Sequence, residues 1–121
     1  MSVIRVDNFG PSAGGTTYSA GGIAKAWVNF NGTGTVAVRD SENVSSLSDL
    51  ATGYYDVNYS NVMNNGFYST TTACVQESPF AIVSVYVMDD HIDHVRLNTA
   101  QPGTADYDTS AVLAQVMGDL A

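Results

Sequence analysis

The sequence predicts an all-β protein, a small antiparallel β-sandwich with an extended N-terminal arm. Strand-length segments recur at short spacing, at 23–30, 34–40, 43–49, 53–59, 66–75, 79–88, 91–98 and 107–117. Most are separated by turn chemistry: Asn31-Gly32, Thr52-Gly53, Asn64-Asn65-Gly66, Asp89-Asp90 and Gln101-Pro102-Gly103. Short strands with a turn every ~8–12 residues suit a sandwich or a barrel. With 121 residues, 45% of them hydrophobic, the chain has the length of one domain and the means to fill its core.

Val3–Val6 reads as a short strand. Asn8–Gly22 then gathers Pro11, Gly14, Gly15, Gly21 and Gly22 among Ser and Thr, the composition of a linker. Residues 1–22 are therefore assigned to an arm or attachment segment and 23–121 to the β-domain. From Ile23 the pattern sharpens. Ala24, Ala26, Val28 and Phe30 fall on one side of a strand, and Lys25, Trp27 and Asn29 on the other. The alternation says that the two faces differ, not which one is inward; Trp27 is assigned a packing role. Asn31-Gly32 is expected to form a two-residue turn with left-handed backbone, placing Val28 and Phe30 opposite Val36 and Val38.

Further along, 79–88 is apolar on both faces. Phe80, Ile82, Tyr86 and Met88 lie on one side, and Ala81, Val83, Val85 and Val87 on the other. One face meets the opposite sheet; the second needs another cover, either a loop such as 8–22 or another subunit. Phe80, Ile82, Tyr86 and Met88 are thus the candidate interface. Ser110–Leu120 fits a helix about as well as a strand, and is read as a strand.

Composition bounds function. The formal net charge is −8, with Arg5, Lys25, Arg39 and Arg96 the only Lys or Arg residues. Such a chain cannot neutralise a phosphate backbone and is repelled by anionic lipid, so neither nucleic acid nor membrane insertion is expected. Cys74 is the single cysteine, which excludes an intrachain disulfide. Met1–Phe9 lacks the basic-then-apolar pattern of a signal peptide, which suggests assembly in a cytoplasm.

Residues able to carry chemistry are few. Asp89, Asp90, His91, Asp93 and His94 offer metal donors at close spacing. In a strand His91 and Asp93 would point away from His94, so a polar hairpin tip without metal is the expectation. Asp106 and Asp108 flank Tyr107 and could imitate a glycosidase pair, but acidic loops are common in an acidic chain. Cys74 lies within a β pattern and reads as a small buried hydrophobe. Gly32-Thr33-Gly34 lacks the helix and lysine of a phosphate loop. No catalytic residue, metal or cofactor is expected. Exposed tyrosines near Asn and Asp, with the Asn-, Gly-, Thr- and Asp-rich loops 60–67 and 98–107, could offer a saccharide an apolar platform with hydrogen-bonding neighbours.

The segment Lys25-Ala26-Trp27-Val28-Asn29-Phe30-Asn31-Gly32-Thr33-Gly34-Thr35-Val36-Ala37-Val38-Arg39-Asp40-Ser41, followed by Asn43-Val44-Ser45-Ser46, closely resembles a recurrent module of tail-fibre and related appendage proteins of tailed bacteriophages. Val3–Asn8 is similar to the opening that often precedes that module, and Gly53–Tyr59 sits where its members carry Gly-Asp-Tyr-Thr-Val-Asn-Phe. Beyond about Ser60 only the rhythm of short strands is shared. The resemblance implies a virion structural protein, a short tail fibre or fibre tip, assembled as a homotrimer in the host cytoplasm. Trp27, Phe30, Asn31 and Gly32 would be fold residues of the module. It also implies attachment to other virion proteins through residues 2–22 and contact with a host surface glycan. A capsid-attached fibre or decoration protein is the alternative. A glycan-degrading tailspike fits less well, because 121 residues cannot hold a long parallel β-helix.

Overall fold

A computed structural model describes residues 2–75, 83–103 and 105–121. It is an antiparallel β-sandwich, with no α-helix among the described residues and none long and apolar enough to cross a membrane. One sheet has the order β4 (Ala37–Glu42), β3 (Ala24–Asn31), β11 (Val112–Met117), β7 (Ser69–Cys74). In the other, β5 (Val44–Ala51) pairs with β6 (Tyr54–Tyr59), β6 with β9 (His94–Gln101), and β9 with both β8 (Ser84–Asp90) and the two-residue β10 (Ala105–Asp106). The strand reading of the C-terminal segment holds over Val112–Met117.

The alternation seen in the sequence fixes the inner faces. Ala26, Val28 and Phe30 of β3 and Val112, Ala114 and Val116 of β11 are buried against Tyr55, Val57 and Tyr59 of β6 and Val95 and Leu97 of β9. The Phe30 and Tyr55 rings meet edge to face at 5.1 Å, an arrangement worth about 0.5–1.5 kcal/mol beyond its buried area.

Two links close the sides. Between β4 and β5 the chain changes sheets at Asn43, the one non-glycine residue with positive φ (54°) among those described. Asparagine tolerates that conformation. Its amide also pairs with the Asn61 backbone, accepting from the N–H at 2.7 Å and donating to the carbonyl at 3.0 Å. On the other side, Thr72 Oγ1 and Cys74 Sγ of β7 donate to the carbonyls of Val85 and Val83 at 3.3 and 3.2 Å, tying β7 to the start of the β8 region.

Three expectations are corrected. Asn31-Gly32 is not a two-residue turn: Asn31 ends β3, and Gly34 carries the left-handed φ of 60°. A long-range contact decides this. The Gly32 N–H donates to the Thr109 carbonyl at 3.0 Å, so the chain is held against the far loop before it can turn. Asn31 instead braces the longer connection, its side chain bonding the Thr33 backbone and hydroxyl. The register shifts as well: a bulge leaves Phe30 opposite Val38 and Val28 opposite Ser41, so neither strand partner is the one a two-residue turn would have set. Third, Val3–Val6 forms no strand, whereas the segment of linker composition after it contains a short hairpin, β1 (Asn8–Phe9) with β2 (Tyr18–Ser19), and a 3-10 turn, Ala20–Gly22. The Phe9 and Tyr18 rings lie 6.0 Å apart across that hairpin.

Candidate functional site

The outward residues of the sandwich make two unlike faces. On the four-stranded sheet, Trp27 and Asn29 of β3 stand beside Gln115 and Leu113 of β11, which in turn stand beside Thr71 and Ala73 of β7. They line a shallow open trough of about 440 Å³. Trp27 therefore does not pack in the core: it lies on the outer side, 38% exposed. An indole flanked by side-chain amides and a threonine hydroxyl supplies both an apolar platform and hydrogen-bonding groups.

The five-stranded sheet carries charge outward. Asp56 of β6 lies opposite Arg96 of β9, which lies opposite Asp89 of β8. Arg96 grips Asp56 with two donors, Nε to Oδ1 at 2.7 Å and an Nη to Oδ2 at 2.9 Å. This hydrogen-bonded guanidinium holds the Asp56 carboxyl below the usual carboxylate range although burial opposes it. In the next row Tyr54, Asn98 and Tyr86 face one another across three strands.

At the end of this face the chain turns from β8 into β9. His91 lies in the turn rather than in a strand, and the turn brings it back over His94, correcting the expectation that the two would point apart. Their rings stack with centroids 4.4 Å apart. His91 Nε2 bonds Asp89 Oδ2 at 2.7 Å and His94 Nδ1 bonds Asp93 Oδ1 at 2.9 Å. One ligand atom from each of His91, Asp93 and His94 lies within 4.8 Å of the others. Asp90, beside them, has its carboxyl pushed up, by burial first and by the Asp89 charge second.

Other candidates resolve as structure. Asp106 accepts from the Asn98 amide at 3.0 Å, and Asp108 accepts from the Gly53 N–H and the Tyr55 hydroxyl, both at 2.7 Å. Both carboxylates are engaged in holding loops. Cys74 is partly buried, and burial raises its thiol. Phe30 is fully buried and Gly32 is buried beside it. Of the interface candidates, Tyr86 and Met88 are exposed, at 44% and 53%, while Phe80 and Ile82 lie outside the described residues. Sequence reading did not find the Asp56–Arg96 pair or the Tyr55–Asp108 bond, whose partners are 40 and 53 residues apart; the one available signal was an aspartate in the outward phase of an apolar strand. No family model, curated protein or solved structure matches the chain.

Proposed function

We propose that the chain is a structural protein of a bacteriophage virion, a short tail fibre or fibre-tip module that works as a homotrimer. The observation that carries this reading is apolar surface placed outside the core. Among the described strands β8 pairs only with β9 and exposes Tyr86, Val87 and Met88, while the arm exposes Val3, Ile4, Val6, Phe9 and Tyr18. An apolar edge strand and an apolar arm are surfaces that subunit contacts cover. The likeness of Lys25–Ser41 to tail-fibre modules supplies the kind of assembly. In this reading β8 meets a neighbouring subunit, residues 2–22 join the chain to other virion proteins, and the ring-and-amide face around Trp27 meets a saccharide of the host surface. The protein performs no catalysis in this role.

Light scattering tests the assembly: the expected mass is three times the 12.8 kDa of one chain. A stable monomer at micromolar concentration overturns the trimer. Antibody labelling of intact particles separates the tail reading from a capsid-attached fibre or decoration protein, which the same exposed arm would also serve. Label at the tail tip supports the first, and label over the shell the second.

A further inference from the structure

The turn His91-Ile92-Asp93-His94 is held rigidly by its backbone. The His91 N–H donates to the His94 carbonyl at 2.9 Å, the Met63 N–H to Ile92 at 2.7 Å and the Tyr59 N–H to Asp93 at 2.8 Å. The Tyr68 hydroxyl reaches the His91 and His94 carbonyl oxygens at 2.8 and 3.0 Å. Its side chains, in contrast, present donor atoms on a fixed frame. We propose that this turn binds a divalent transition-metal ion of the zinc class, through Nδ1 of His91, Nδ1 of His94 and the carboxylate of Asp93.

Two imidazoles and one carboxylate suit zinc and its neighbours, whereas magnesium and calcium prefer all-oxygen sites. The second nitrogen of each ring supports the choice of Nδ1. His91 Nε2 bonds Asp89, and His94 Nε2 faces Asp56 Oδ2 at 3.9 Å. A carboxylate behind each ring is the usual support of a metal-ligating histidine. His94 Nε2 is buried and lacks a hydrogen bond, Asp56 Oδ2 standing 3.9 Å away, while a proton on Nδ1 would serve Asp93. A metal on Nδ1 displaces that proton and selects the tautomer with the hydrogen on Nε2, directed at the carboxylate that Arg96 holds in place. His94 Nδ1 and Asp93 Oδ1 are 2.9 Å apart, close to the roughly 3 Å that separates neighbouring ligands at about 2.1 Å from one ion. The remaining movement falls on His91. Ring lone pairs lie in the ring plane, and two nearly parallel planes cannot share an ion. His91 must therefore leave the stack, which its side-chain exposure of 47% permits.

The experiment is calorimetric titration of the full, metal-free chain with zinc chloride, read alongside the imidazole NMR signals. The expected result is one zinc per chain, with both histidine spin systems shifting and no competition from magnesium or calcium in equal amount. His91→Ala and His94→Ala should each weaken binding at least as much as the roughly 10–100-fold known for loss of a supporting outer residue. Asp40→Asn, an exposed acid on the other sheet, should leave it unchanged. His91→Ala alters a half-exposed side chain, so it remains informative if His94→Ala does not fold. No stoichiometric zinc binding, binding indifferent to His91→Ala, or equal loss in Asp40→Asn overturns the site.

Discussion

The two ends of the sandwich handle polar groups in opposite ways. β6 and β9 run between them, pairing Tyr54 with Asn98 at one end and Asn58 with His94 at the other. Near the Tyr54 end, Tyr55 is fully buried and its hydroxyl donates to Asp108, with the Gly32 carbonyl oxygen a second acceptor at 3.0 Å. Gly53 donates to the same carboxylate, and the buried Thr99 hydroxyl donates to the Tyr107 carbonyl at 2.6 Å. At the His94 end, the Tyr59 and Thr70 hydroxyls, Asp90 Oδ1 and His94 Nε2 are all buried without a well-formed hydrogen bond. The closed end ties distant loops together, which is a folding role. At the open end the contacts are weaker, Tyr59 beside Tyr68 and Asp90 beside Thr70, and His94 Nε2 stands without a partner near carboxylates, a place that a ligand can complete.

The closed end should be the less forgiving. Gly53 has φ +72°, and an added Cβ would fall onto the Thr99 carbonyl oxygen. Gly53→Ala is expected to cost ~3 kcal/mol or more, through left-handed strain and a backbone clash together. Gly32→Val should follow at ~2–3 kcal/mol, because its Cβ would lie 2.6 Å from the Tyr55 hydroxyl and 3.0 Å from the Thr109 carbonyl oxygen. Urea unfolding measures both. If either change costs less than His94→Ala, the contrast between the ends fails.

Asp56→Asn tests the face that joins the two ends. Asn cannot accept the charged fork of Arg96, and the guanidinium, still 38% exposed, can turn to water. The loss is therefore about 1–2 kcal/mol, below the 3–5 kcal/mol of a fully buried pair. Its pH dependence has a definite sign. The folded carboxyl is depressed below its unfolded value, so its contribution is full above the unfolded pKa and disappears as pH falls through the folded one. Wild type and Asp56→Asn should then converge in acid. A gap that stays constant into strong acid would show that Arg96 does not favour the ionised form.

The parts of this contrast that sequence made legible are those fixed by local period. The alternation of β3 named its two faces, with Ala26, Val28 and Phe30 all buried. Period alone did not decide 110–120, which suits a helix as well as a strand; the strand forms where Val112, Ala114 and Val116 all face the core. Long-range pairing was not legible. Asn31-Gly32 has the local chemistry of a tight turn, but long-range bonds hold Gly32 instead, from its N–H to Thr109 and to its carbonyl oxygen from Tyr55. The histidine pair was hidden for a related reason. Strand alternation separates His91 from His94, and it is the end of β8 at Asp90 that releases His91 into a turn and folds it back.

The smallest expected effect is also the one with the opposite sign. Asp90 lies at the open end with Oδ1 buried and without a well-formed hydrogen bond, and Asp89 adds a like charge. Its folded carboxyl is raised above the unfolded value, with Thr70 and His91 only partly offsetting burial. Ionised Asp90 thus opposes folding: stability falls as pH rises from the unfolded pKa through the folded one, and the penalty is complete above the latter. Asp90→Asn removes the charge and keeps the shape. It should stabilise the chain by about 0.5–1 kcal/mol at neutral pH, the scale of one poorly solvated polar group relieved. The advantage should vanish below the unfolded pKa, where wild-type Asp90 is neutral too. Unfolding curves at neutral and acid pH decide it. A destabilised Asp90→Asn at neutral pH would mean that the carboxylate has a partner at this end of the sandwich, and the distinction between a closed end and an open one would then rest on the histidines alone.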